Sequence, residues 1–259
     1  MLQDGERDMS GPGRETAGDH AFPQTRHSVF ERVRSADEAL RRLGWEALAQ
    51  SYWKPVYKLL RMRWKADPEL AEDWTQGFFA HALEQGTFER FDPAQARLRT
   101  YLRLCLDGFV ANQRAFQGRA KRGGAARVLS LDFEAAEGEL AASTPPATED
   151  LEAYFQREWM RSLFELALAD LRQELEQAGK GQEYLLFARC DLEGAESGRR
   201  PSYGELAQEF GITLGQVTSR LHALRAKLRA RLLARLRETC ADEDEFRAEA
   251  RAILGGVEP

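Results

Sequence analysis

Sulfur and histidine are sparse: three cysteines, Cys105, Cys190 and Cys240, and four histidines in 259 residues. No cysteine sits in a C-x-x-C pair and no two histidines lie at metal-ligand spacing, so neither a metal site nor a cofactor is expected. Three thiols so far apart predict no disulfide framework and fit a reducing, cytoplasmic setting. Long apolar runs are missing too, since none approaches the roughly 18 residues of a membrane-spanning helix. The opening stretch MLQDGERDMSGPGRETAGDH lacks the apolar core of a secretion signal. Also missing are a P-loop, G-x-S-x-G, H-E-x-x-H and a dinucleotide fingerprint, so no catalysis is expected. Glu72 and Asp73 are an adjacent acid pair of the N-terminal half, and they point to different sides of a helix, which suits docking better than acid–base chemistry. Val and Ile are scarce beside Ala, Leu, Arg and Glu, and no alternating pattern persists. The expected fold class is therefore all-α.

What is present is charge in blocks. The formal net charge of −5 conceals this. Residues 97–127 hold eight basic side chains against one acid, Asp107, and residues 197–237 hold nine against two. Residues 130–180 between them carry twelve acids against four bases, and the tail after Arg237 is acidic again. A polyanion senses the local block, because charges beyond a Debye length of roughly 8–10 Å are screened.

Periodicity and caps divide the chain into two small helical domains on a flexible acidic linker. Residues 1–24 are expected to be a disordered extension. A first domain spans 25–123. Ser35 and Glu38 have capping-box spacing, a second helix runs from about Glu46 to Trp64, and Pro55 predicts a kink in it. Asp67-Pro68 starts the next helix, with Gly86 as its stop. Phe88 and Phe91 fall in a loop before a helix that reaches about Phe116, with Tyr101 on its apolar stripe. Residues 124–157, with their glycines, Pro145-Pro146 and acids, read as the linker. A second domain spans 158–237, and 238–259 is an acidic extension. There is no internal repeat.

The best-specified segment is SYGELAQEFGITLGQVTSRLHALRAKLRAR, Ser202–Arg231. Ser202 with Glu205, and Thr213 with Gln216, form two capping boxes with Gly211 between them. Two helix starts so close predict a helix-turn-helix. Val217, Leu221, Leu224 and Leu228 form its apolar stripe. Gln216, Thr218, Ser219, Arg220, His222 and Arg225 lie early on the second helix, where such a motif meets the major groove. Gln216 also has the alternative of simply capping its own helix. In the first domain, Arg99, Arg114, Arg119, Lys121 and Arg122 give a basic face near Phe88, Phe91 and Tyr101, with the neutral Asn112 as a further DNA-binding candidate. Basic groups beside aromatics suit unpaired bases; the alternative is that these aromatics are core.

At these residues the chain resembles the sigma-70 family of RNA polymerase sigma factors, specifically its extracytoplasmic-function group. Ser202–Arg229 is similar to region 4.2, which reads the −35 promoter element. Thr218 and Ala223 stand where the family commonly has lysine and arginine. Tyr52–Arg61 resembles region 2.1, and Leu70–Leu83 resembles region 2.2, the polymerase-docking helix. The resemblance assigns Glu72, Asp73, Gln76 and Phe79 to docking. Phe91–Arg114 resembles regions 2.3 and 2.4, which open and read the −10 element, with Tyr101, Gly108 and Asn112 departing from the usual residues.

The resemblance implies a sigma factor whose partners are core RNA polymerase and promoter DNA, with an anti-sigma factor or a kinase as a regulator and no membrane. Thr75, on the docking helix, is a position where a phosphate would add up to about two negative charges. The alternative is an autonomous helix-turn-helix regulator with an N-terminal sensory or partner-binding domain. The acidic linker and tail are expected to compete with DNA for the basic faces, or simply to solubilise the chain.

Overall fold

The computed structural model describes residues 29–117, 131–142, 150–193 and 198–254. Every regular element among them is helical, in keeping with the all-α expectation. The expected disorder of residues 1–24 concerns positions outside the described residues.

Helix α1 (Val29–Val33) is a short turn packed on α2 (Glu38–Arg63). Asp37, not Ser35, caps α2, accepting the N–H groups of Ala39 and Leu40 at 2.8 and 3.3 Å. Ser35 sits one step outside and takes the Asp37 N–H. The two helices expected across Ser35–Trp64 are thus one of 26 residues. Pro55 lies inside it without ending it. Its missing donor removes one ladder bond, but α2 is buried there, with Val56, Leu59 and Leu60 fully covered.

Asp67 accepts the Leu70 N–H at 2.8 Å and Pro68 follows as the first residue of α3 (Pro68–Glu84). Gly86 follows α3 with φ +59°, the left-handed conformation a stop requires. Helix α4 (Leu98–Gln117) buries Leu98, Leu102, Leu106, Phe109 and Val110.

The segment read as linker contains structure. Residues Phe133–Ala142 form α5, and α6 (Leu151–Gln177) begins six residues before the expected linker end at 157. Linker positions 124–130 and 143–149 lie outside the described residues. Side chains far away in sequence hold α5. Phe133 sits 5.3 Å edge-on from Trp53 and 5.2 Å from Tyr57. Glu137 bonds Arg61 and the Tyr57 hydroxyl, while Glu139 bonds Lys54 at 2.6 Å and Lys58 at 2.7 Å.

Helix α6 then lies along α2, with Tyr52 stacked 6.5 Å from Phe155 and 6.1 Å from Trp159. Lys58 is 1% exposed and is closed between Glu139 and Glu158, each at 2.7 Å. After α6 come α7 (Gly181–Phe187), a π-helical turn Ala188–Leu192, α8 (Tyr203–Phe210), α9 (Leu214–Thr239) and α10 (Glu243–Leu254). Helix α9 packs on the outer part of α6, and α10 folds back on the end of α9. One apolar cluster joins residues from all of these helices, so the two sequence-level units share a core. No helix among the described residues is long and apolar enough to cross a membrane.

Candidate nucleic-acid interface

The pair α8–α9 is shaped by local chemistry. Ser202 Oγ accepts the Glu205 N–H while the Glu205 carboxylate accepts the Ser202 N–H at 2.7 Å. Thr213 and Gln216 repeat the exchange at 3.3 and 2.9 Å. Between them Gly211 has φ +62°, a conformation that costs a side-chain-bearing residue roughly 1–2 kcal/mol. Leu206, Val217 and Leu221 are fully buried and Leu224 nearly so. Each such burial contributes roughly 1.5–3 kcal/mol.

That packing turns the first turns of α9 outward. Leu214, Gln216, Thr218, Ser219 and His222 are exposed and Arg220 is half-buried, with no carboxylate at ion-pair distance among the described residues. Thr218 Oγ1 donates to the Leu214 carbonyl and Ser219 Oγ to that of Gln216, which fixes both rotamers and leaves oxygen lone pairs facing solvent. Gln216 is occupied by its cap.

Arg225 requires a correction. Its guanidinium closes on both oxygens of Asp191 at 2.8 and 2.9 Å and reaches the Tyr203 hydroxyl at 3.2 Å. The hydrogen bonds it donates to Asp191 raise its pKa, and this partly exposed side chain braces α9 against the π-helical turn. Further along, Lys227 and Arg231 share Glu174, and Arg235 pairs both oxygens of Asp170 at 2.7 and 2.6 Å. Lys227, Arg231 and Arg235 are thus neutralised by α6 and Arg225 by the π-helical turn, which leaves Arg220 on the leading turns of α9.

The structure divides the first-domain residues. On α3, Asp73 is exposed and Glu72 partly so, but Gln76 is 5% exposed and Phe79 wholly buried. Phe79 packs 5.3 Å from Phe78 and 6.0 Å from Trp45, so neither it nor Gln76 belongs to an outer docking face. Thr75 is fully buried, with its hydroxyl on the Ala71 carbonyl, which removes it as a modification site.

On α4, Asn112 and Arg114 are exposed. Arg114 donates to the Trp64 carbonyl at 2.9 Å. Arg99 is 5% exposed, ion-paired to Glu249 and 5.4 Å from the Trp159 ring, so as placed it contacts no external ligand. Arg119, Lys121 and Arg122 lie outside the described residues. Phe88 and Phe91 are core: Phe88 is edge-on to Trp45, and Phe91 lies 5.3 Å from Tyr101, whose hydroxyl donates to the Thr87 carbonyl.

No family model, curated protein or solved structure matches the chain.

The sequence reading did not find the acids that meet the basic residues. Glu249 takes Arg97 and Arg99, Glu152 takes Arg103, and Asp107 takes Arg63. The segregated charge blocks were the available signal. In the tail, Phe246, Glu249, Ala250 and Ile253 fall at helical spacing, a period that marks an amphipathic helix.

Proposed function

We propose that this chain is a sigma factor of the sigma-70 type, in which α8–α9 is a helix-turn-helix reading duplex promoter DNA and the first helical unit meets core RNA polymerase. The observation that carries the reading is the doubly capped pair around Gly211, with exposed Thr218, Ser219 and His222 and half-buried Arg220 on the leading turns of α9. A helix presented in this way fits the major groove end-on, where each well-made side-chain contact discriminates bases by about 1–3 kcal/mol. Two supports remain for polymerase docking: the resemblance at Leu70–Leu83, and the acidic outer side of α3 at Glu72 and Asp73. For the −10 region the accessible residues are Asn112 and Arg114.

The test is capture of core polymerase by the purified chain, followed by transcription in vitro from a genomic library with sequencing of the start sites. New start sites that depend on the chain support the reading, and failure to bind core enzyme ends it. The burial of Gln76 and Phe79 favours a second reading, an autonomous helix-turn-helix regulator. That reading requires tight, specific duplex binding with no polymerase present, so the same experiment separates the two.

A further inference from the structure

The last helix ends in an unusual place. Glu249 is 1% exposed, and its Oε1 accepts from Arg97 Nη1 at 2.8 Å and from Arg99 Nη1. Its other oxygen, Oε2, and the Arg99 Nε are both buried without a hydrogen-bond partner among the described residues. One carboxylate oxygen thus serves two guanidinium groups, while a donor and an acceptor beside it stay unmatched. Arginine forks are matched by carboxylates or phosphates that offer two oxygens in the right places. Arg99 is also held from behind, its guanidinium 5.4 Å from the Trp159 ring. Its position therefore does not depend on Glu249 alone.

The hold on α10 is otherwise modest. Phe246 and Ala250 are buried, Ile253 is half-buried, Arg237 lies 4.0 Å from the Phe246 ring, and Arg237 pairs with Glu243. Most of the remaining surface of the helix is exposed and acidic at its start. A short connection, Cys240–Asp242, joins it to α9, so it can swing away by giving up the Arg237 contacts while α9 keeps its ion pairs to α6.

We infer that α10 is a latch: Glu249 fills an anion site made by Arg97 and Arg99 at the start of α4, and a nucleic-acid backbone phosphate takes that site when α10 leaves. This rests on the reading of α4 as a DNA-facing helix. The free chain is then a weak DNA binder, because Arg97, just before α4, and Arg99, in its first turn, are paired with its own tail. A phosphodiester also carries two free oxygens, and seated there it can meet the Arg99 Nε donor that Glu249 leaves unmatched.

Glu249→Gln keeps the shape and removes the charge. At low ionic strength it should bind a fluorescein-labelled promoter-length DNA about tenfold more tightly than the wild type. The dependence of log affinity on log salt should steepen by about 0.7–0.9 for each phosphate newly contacted. A chain ending at Asp242 should behave alike, and adding Arg97→Gln to Glu249→Gln should cancel part of both gains.

In the unaltered chain, saturating DNA should speed hydrogen exchange of the α10 amides. Folded variants with wild-type affinity and salt slope, or α10 exchange unchanged by bound DNA, overturn the latch. Core-polymerase capture is scored separately. A latch that opens on DNA in a chain that ignores polymerase leaves this inference standing and removes the sigma reading, and the reverse result does the opposite.

Discussion

Lys58 provides the sharpest test of how α2, α5 and α6 meet. Its ammonium is buried 2.7 Å from both Glu139 and Glu158. In Lys58→Met both carboxylates lose that cation. Glu139 keeps Lys54 at 2.6 Å, but Glu158, 3% exposed, keeps only Arg157 and Arg161 among the described residues, at 3.6 and 3.8 Å. Removing one partner of a buried pair costs about 3–5 kcal/mol. In a chain of this size each kcal/mol is worth about 2–4 °C, so the melting temperature should fall by about 6–20 °C. The same lysine on a solvated helix facing a floppy linker would be worth at most about 1 kcal/mol. Urea denaturation followed by circular dichroism measures the difference, and Lys58→Met/Glu158→Leu should recover more than half of the loss because no stranded charge remains there. A single-variant loss below about 1 kcal/mol would refute the packing of α5 and α6 on α2.

Gly211→Ala meets no atom within 4 Å, so its cost is backbone strain alone, about 1–2 kcal/mol, read by urea denaturation. Thr213→Ala removes the cap of α9 and should cost about 1 kcal/mol while speeding amide exchange in the first turn of that helix. Glu245 is raised by burial and by the nearby Glu249 and Asp242 carboxylates, although the Ala241 N–H opposes this. A carboxyl raised on folding opposes folding once ionised, so Glu245→Gln should stabilise the chain at pH 7 by less than about 1 kcal/mol, its partial exposure reducing the gain. Glu137 is lowered chiefly by the Arg61 hydrogen bond; burial raises Glu139, but its bonds to Lys54 and Lys58 outweigh this. Such lowered carboxyls stabilise above the unfolded value near about pH 4.3, and thermal melts should show that share disappearing as pH falls through their folded values.

Which parts of this architecture were readable from sequence follows from the distance over which each interaction acts. The caps at Asp67, Ser202 and Thr213 were legible because each side chain bonds a backbone group within three residues. The left-handed Gly211 was legible for the same reason. Helix α5 was not: ten residues rich in Ala and Glu form a marginal helix alone, and its order comes from Trp53, Tyr57 and Lys58, some 80 residues earlier. The placement of Gln76 and Phe79 failed for a related reason. Helix α3 buries Ala71, Trp74, Thr75, Gln76, Phe78, Phe79 and Ala82, a face too wide for periodicity to say where the outer side begins.

Arg99 shows how these limits bear on function. A basic residue near the start of a basic block reads as surface, and surface reads as ligand contact, until an acid 150 residues away is found against it. Net charge by block correctly located the sources of positive potential, but it could not say that α6 and α10 already cover much of it. Arg225, Lys227, Arg231, Arg235 and Arg99 all face carboxylates of this chain, whereas Arg220 has none opposite it among the described residues. If promoter contact falls to the cations left open, Arg220→Ala should weaken duplex binding several-fold while Lys227→Ala alters stability more than affinity. Titrating both variants with the same labelled duplex separates these effects, and equal losses of affinity would mean that the α6–α9 ion pairs open when DNA binds.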